Sequence, residues 1–197
     1  VPWEHEAALD HHIDVVTTTI DILRAEMKLQ EVHFLSLDAQ GAEYDILLGA
    51  ENTLRLDPII GVVAEAGLAE LYTGQGLFNQ QLDILLREGF IFQGFLSSQE
   101  WRPDPRVGQG PGTLVVGDAV FLRDFTRFLR GSQDSKVEDM ARLIACAGAF
   151  GLYAYASEVL ACLEETWPKR WGAFLEFNTL PYLNEAISLI HQMRKGA

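Results

Sequence analysis

Residues 59–64, Ile-Ile-Gly-Val-Val-Ala, form an almost unbroken apolar run between Pro58 and Glu65. The run is rich in β-branched residues and too short for an ordinary helix, so it reads as a strand buried on both faces. Such a strand needs a covering layer on each side of its sheet. The chain must therefore supply strands and helices in alternation, which is the pattern of an α/β fold.

The flanking sequence meets that demand. Ile13 to Thr19 is short and β-branched, predicting a strand, and Asp21 to Leu29 carries helix formers with apolar positions on one side. Val32 to Leu37 predicts the next strand, ending in Asp38-Ala39-Gln40-Gly41. Glu43 to Leu56 then predicts one helix with Ile46, Leu47, Ala50 and Leu54 on a common stripe, closed by Pro58. Leu77 to Arg87 predicts a further amphipathic helix stopped near Gly89. Phe90 to Leu96 and Thr113 to Leu122 predict two last strands with no helix between them, hence an antiparallel hairpin at the sheet edge.

After Asp124 the period becomes helical throughout. Val137, Met140, Ala141, Ile144 and Ala147 mark one helix, and Leu152 to Leu163 marks a second. Ala149-Phe150-Gly151 is short enough to fold the two into an antiparallel pair, and a third helix is expected after Pro181. The net charge of −13 also changes at this point, because the whole acidic excess lies in residues 1–124. The expected organisation is an α/β unit over 1–124 and a small all-α region over 125–197. An acidic surface repels phosphate, which argues against nucleic acid or an anionic membrane as partner.

Several spaced elements in the first unit resemble the FkbM family of S-adenosylmethionine-dependent methyltransferases. They are Thr17-Thr18-Thr19-Ile20-Asp21, then Ser36-Leu37-Asp38-Ala39-Gln40-Gly41-Ala42-Glu43, then Gly49-Ala50, then Val62-Val63-Ala64-Glu65. The stretch Gly117 to Arg123 is similar to the family's closing strand. The resemblance implies part of a Rossmann-like class I methyltransferase sheet ending in an antiparallel edge hairpin. It also implies transfer of a methyl group from S-adenosylmethionine to a hydroxyl of a small molecule, sugar or glycan. The glycine-rich cofactor half is not found after Val1, and the expectation is that it lies upstream.

Within that family framework Asp38 and Glu65 stand where ligands meet an α/β sheet, at the carboxyl ends of successive strands. Asp38 is the first candidate for the base that accepts the hydroxyl proton, and Glu43 the second. Glu65, Gln40 and Tyr72 are candidates for holding the acceptor, and Asp38 with Ala39 for bordering the cofactor. Phe92, Phe95 and Trp101 are available to line an acceptor pocket, with core packing as the simpler use. Two positions depart from the family pattern: Ser36 replaces a usual Lys and Gln40 a usual Glu, so a cation and an anion have both become neutral.

Other motifs carry less. Gly108-Gln109-Gly110-Pro111-Gly112 has glycine spacing but precedes a strand, so it reads as a loop. His11-His12 beside Asp10 and Asp14 reads as solvated chain, because neighbours on an extended segment face opposite ways. No spacing of His, Cys or carboxylates asks for a metal. Cys146 and Cys162 lie in apolar helical contexts and read as reduced thiols of a cytoplasmic protein. The tail aromatics, Trp167, Trp171, Phe174 and Phe177, fit either a cover for the sheet or a contact between copies of the chain. The competing functional reading is a non-catalytic, methyltransferase-like assembly module.

Overall fold

The structure is a computed structural model describing residues 13–29, 31–56, 58–102, 111–129, 134–177 and 181–196, with backbone alone at 134, 135, 177, 181 and 196. Its elements are α1 (Ile20–Glu26), β1 (Phe34–Leu37), α2 (Glu43–Leu48), α3 (Glu51–Leu56), β2 (Gly61–Gly67), α4 (Phe78–Arg87), β3 (Phe90–Trp101) and β4 (Thr113–Arg123). A 3-10 turn (Phe125–Leu129) leads to α5 (Asp134–Ala149), α6 (Tyr153–Thr166), α7 (Pro168–Phe177) and α8 (Pro181–Gly196).

The four strands form one mixed sheet in the order β1-β2-β4-β3. β1 and β2 are parallel, while β4 runs against both β2 and β3. β3 therefore points the same way as β1 and β2, and β4 is inserted between β2 and β3. The inner position of β4 explains its sequence: Val115 to Arg123 is buried along almost its whole length, as a strand covered on both faces requires.

Alternation along the strands sends side chains to two cores. Val62, Ala64, Ala66, Ala119 and Phe121 pack with Leu47, Leu54, Ile84 and Leu85 of α2, α3 and α4. Ile60, Val120 and Leu122 pack on the other face with Met140, Ile144, Leu160, Leu163, Trp171 and Ile190 of α5 to α8. The helices after Asp124 thus supply the second covering layer that the apolar β2 strand demands. Trp167, Trp171 and Phe174 belong to this core, with Trp171 and Phe174 stacked at 5.8 Å.

Four expectations need correction. Ile13 to Thr19 is irregular, and Ile13, Val15 and Val16 are exposed, because no strand lies beside them among the described residues. The single helix expected over Glu43 to Leu56 is two helices broken at Gly49-Ala50. At that break the Asp21 N–H donates to the Gly49 carbonyl at 3.0 Å, while Thr19 stands 3.0 Å from where a Gly49 Cβ would lie. β2 runs on to Gly67, so Glu65 lies inside a strand rather than at its end. Finally, α7 adds a helix between the two expected around it.

Arg123 binds these parts together. Its guanidinium is almost fully buried and donates to the carbonyls of Ile59, Glu88 and Leu54 at 2.8, 2.6 and 2.9 Å. It also lies 3.9 Å above the Phe90 ring. Burial and the neighbouring Arg127 lower its pKa to about 10, which leaves it charged at neutral pH. A cation near the carbonyls that finish α3 and α4 suits the negative ends of both helices. Its own carbonyl accepts the Tyr155 hydroxyl of α6, linking the sheet to the helical layer.

Candidate functional site

Parallel pairing brings the carboxyl ends of β1 and β2 to the same side of the molecule. The last paired residues are Leu37 and Ala64, so Asp38 and Glu65 stand side by side immediately beyond them. Glu43, the first residue of α2, joins them from the turn that follows β1. Each of the three carboxylates offers one oxygen, and these oxygens lie within 4.8 Å of one another. No sequence spacing signals this cluster, because folding assembles it from two strands and a helix start.

The three acids differ in what surrounds them. Glu43 is fully buried, with Oε1 accepting the Ala39 N–H at 2.6 Å and Oε2 the Gly41 N–H at 3.0 Å. Its carboxylate is the clamp of the turn between β1 and α2. The N–H of Ala39, expected to border a cofactor, is engaged in this clamp. Asp38 is exposed and accepts the Gln40 side-chain amide at 3.0 Å. It does not cap α2, whose N-cap residue Ala42 makes no side-chain cap bond. Helix capping, the simplest alternative use of an acid at this place, is therefore removed.

Glu65 is half-buried and faces Asp118, its partner across the β2–β4 ladder. Burial first, then the charges of Glu43, Asp38 and Asp118, push its carboxyl above the usual range. Like charges held this close disfavour full ionisation of all members. Asp118 in turn accepts the Ser97 hydroxyl at 2.5 Å, which extends the polar patch to β3.

Gln40 and Tyr72, expected to touch an acceptor, are bonded to each other. The Tyr72 hydroxyl donates to Gln40 Oε1 at 2.9 Å, and Tyr72 is 39% exposed. Gln75 supports this loop by accepting the N–H groups of Leu71 and Tyr72 at 3.0 and 3.3 Å. Sequence reasoning missed Gln75 and Asp118, and the only available signals were their positions in a glycine-flanked loop and in a buried strand. Phe92 packs on Phe78 and Phe121 at ring distances of 5.0 and 5.3 Å and Phe95 on Phe78 at 5.3 Å, and both belong to the core. Trp101 is exposed at the far end of β3. Residues Asp10 to His12 and Gly108 to Gly110 lie outside the described residues.

Residues 3–92 match the methyltransferase FkbM domain. The FkbM-type segment contains all three clustered carboxylates together with Gln40 and Tyr72. It ends at residue 92, so the strand Gly117–Arg123, read above as a further family element, lies outside the match. No curated protein and no solved structure matches the chain.

Other features do not compete with this site. A cavity of about 340 Å³ opens at the amino ends of β1 and β2, lined by Glu31, Pro58, Asp139 and Arg142 among others. There Arg142 is already paired with Glu138 and Asp139 at 2.5 and 3.1 Å, so its charge is spent internally. Both cysteines are free, and burial pushes the Cys146 thiol up to about 11, which makes it a poor nucleophile. No described helix is long and apolar enough to cross a membrane.

Proposed function

We propose that the FkbM-type segment is the acceptor side of an S-adenosylmethionine-dependent O-methyltransferase, with Asp38 and Glu65 at its centre. The observation that carries this reading is the placing of Asp38 just past the carboxyl end of β1 and of Glu65 beside it on the parallel strand β2, inside a segment matched to a methyltransferase domain. The acceptor is a neutral hydroxyl compound, a small molecule or glycan.

When bound, S-adenosylmethionine supplies an electrophilic methyl group on a sulfonium cation. The cluster of acidic groups around Asp38 would suit the positive pole of that group. The turn N–H groups at Ala39 and Gly41 do not hold it, because Glu43 occupies them.

The residues divide the remaining work. Asp38, exposed and with no partner on its second oxygen among the described residues, would accept the proton of the acceptor hydroxyl. Glu65 stands against it with raised proton affinity, so the pair can retain the proton. The exposed part of Tyr72 offers the acceptor an aromatic surface. In-line methyl transfer depends on alignment, which is why the turn holding Asp38 must be rigid.

The test is calorimetric titration of the natural full-length protein with S-adenosylmethionine, followed by transfer of its labelled methyl group to a panel of hydroxylated acceptors. Saturable binding and transfer are expected. Asp38→Asn should lower turnover by roughly 10² to 10⁴, with at most a modest effect on cofactor affinity. Absence of binding would overturn the reading in favour of a methyltransferase-like assembly module, and unchanged turnover in Asp38→Asn would remove Asp38 as the base.

A further inference from the structure

We infer that Gln40 and Tyr72 are positioning residues that act on Asp38 through an ordered relay, from the Tyr72 hydroxyl through the Gln40 side-chain amide to the Asp38 carboxylate. This rests on the reading of Asp38 as the proton acceptor and adds to it the groups that aim the carboxylate.

The direction of the relay follows from donor and acceptor chemistry. An ionised carboxylate only accepts, so the group 3.0 Å from Asp38 Oδ1 must be the Gln40 amide nitrogen. The Gln40 carbonyl then points the other way and accepts the Tyr72 hydroxyl at 2.9 Å. Each bond fixes the sense of the other. A free glutamine amide turns over readily, whereas this one is held at both ends.

The backbone beneath the relay is built for it. Gln40 has φ +53, a left-handed conformation that side-chain-bearing residues seldom adopt. Its two neighbours, Ala39 and Gly41, both give their N–H groups to the buried Glu43 carboxylate. The clamp closes the turn with Gln40 at its apex and its side chain directed back to Asp38. Gly41 has φ +101, and a Cβ there would lie 2.7 Å from the Tyr72 ring. The absence of a side chain at 41 lets Tyr72 lie on the turn, from where its hydroxyl reaches Gln40. Gln75 fixes the other end by accepting the Tyr72 N–H.

The choice of amide at position 40 follows from local charge. A glutamate there would place a further carboxylate against Asp38, in a cluster where Glu43 and Glu65 already crowd it. Ser36, two residues earlier on the same face of β1, offers no cation to offset it. A neutral donor at 40 is thus the side chain that orients Asp38 without raising the local repulsion.

The first experiment reads the Gln40 side-chain amide in a ¹H–¹⁵N spectrum of the full chain, with neither cofactor nor acceptor present. Asp38→Asn and Tyr72→Phe are each expected to move the Gln40 amide protons and bring their two shifts closer together. A Gln40 amide indifferent to both substitutions overturns the relay. Tyr72→Phe removes only a hydroxyl, so loss of folding does not confuse the result.

The second experiment uses methyl transfer. Gln40→Glu should lower turnover by roughly tenfold to a hundredfold, with the protein still cooperatively folded but melting somewhat lower because a carboxylate is added to the cluster. Ser36→Lys combined with Gln40→Glu should recover most of the loss, and failure of that rescue overturns the charge account of position 40. The two failures are separable. A coupled amide without transfer to any acceptor sinks the methyltransferase reading alone, whereas transfer with an uncoupled amide sinks the relay alone.

Discussion

Arg123 and Leu54, far apart in sequence, are joined by a buried hydrogen bond of 2.9 Å from the guanidinium to the main-chain carbonyl. The same side chain donates to the carbonyls of Ile59 and Glu88, the latter shared with Arg127, so one cation joins three segments. Arg123→Leu should lower unfolding stability by about 2–4 kcal/mol, because it leaves the buried carbonyls of Leu54 and Ile59 without this donor. Arg123→Lys should recover only part of this, since an ammonium cannot span three divergent carbonyls. Urea denaturation midpoints measure both, and an unchanged midpoint in the leucine variant would refute the clamp.

Asp21 caps α3 from a distance. Its carboxylate accepts the N–H groups of Asn52 and Thr53 at 3.0 and 2.8 Å, and the Thr53 hydroxyl at 2.7 Å. Burial alone would raise its pKa, but the hydrogen bonds from Thr53 and Asn52 outweigh burial and hold the carboxyl below its ordinary value. A carboxyl with a depressed folded pKa adds stability above its unfolded pKa and loses it as pH falls through the folded value. Asp21→Ala should cost about 1 kcal/mol at neutral pH. The difference from wild type should shrink below roughly pH 4, as followed by thermal melts across an acid series.

Glu65 has the opposite sign. Its folded pKa is raised by burial and by three neighbouring carboxylates, so the folded state binds its proton more tightly than the unfolded state. The corresponding stability is present below the unfolded pKa and is lost as pH rises through the folded one. Glu65→Gln should therefore raise the melting temperature at neutral pH and have little effect below roughly pH 4. A lower melting temperature at neutral pH would show that the glutamate charge is compensated in solution.

Gly41→Ala tests the turn. The left-handed φ and the Tyr72 ring both oppose a methyl group there. A loss of about 1–3 kcal/mol is expected. The Tyr72 ring should also move away from the turn, detectable as a change in its ring-proton shifts, and unaltered stability would show that the turn relaxes freely.

Much of the fold was legible along the chain. The apolar run at 59–64, the amphipathic segment before Gly89 and the tight turn at Gly151 each became the element expected of them, because local periodicity reports burial directly. The break at Gly49-Ala50 was not legible, since it depends on Asp21 and Thr19 arriving from another segment. The insertion of β4 between β2 and β3 was equally hidden, because a strand's sequence records that it is buried but not which strands flank it.

The same division holds at the site. The motif Asp38-Ala39-Gln40-Gly41-Ala42-Glu43 and the glutamate at 65 were visible as residues of interest in sequence, and they belong to the segment that matches a methyltransferase domain. Their assignments came only with folding. Glu43 became the buried clamp of a turn, Gln40 and Tyr72 turned to each other, and Asp38 was left exposed with one oxygen unpartnered among the described residues. Sequence determines which groups can carry charge or donate a hydrogen bond. Tertiary structure decides which are already satisfied, because burial and partners at about 3 Å depend on segments that are remote along the chain.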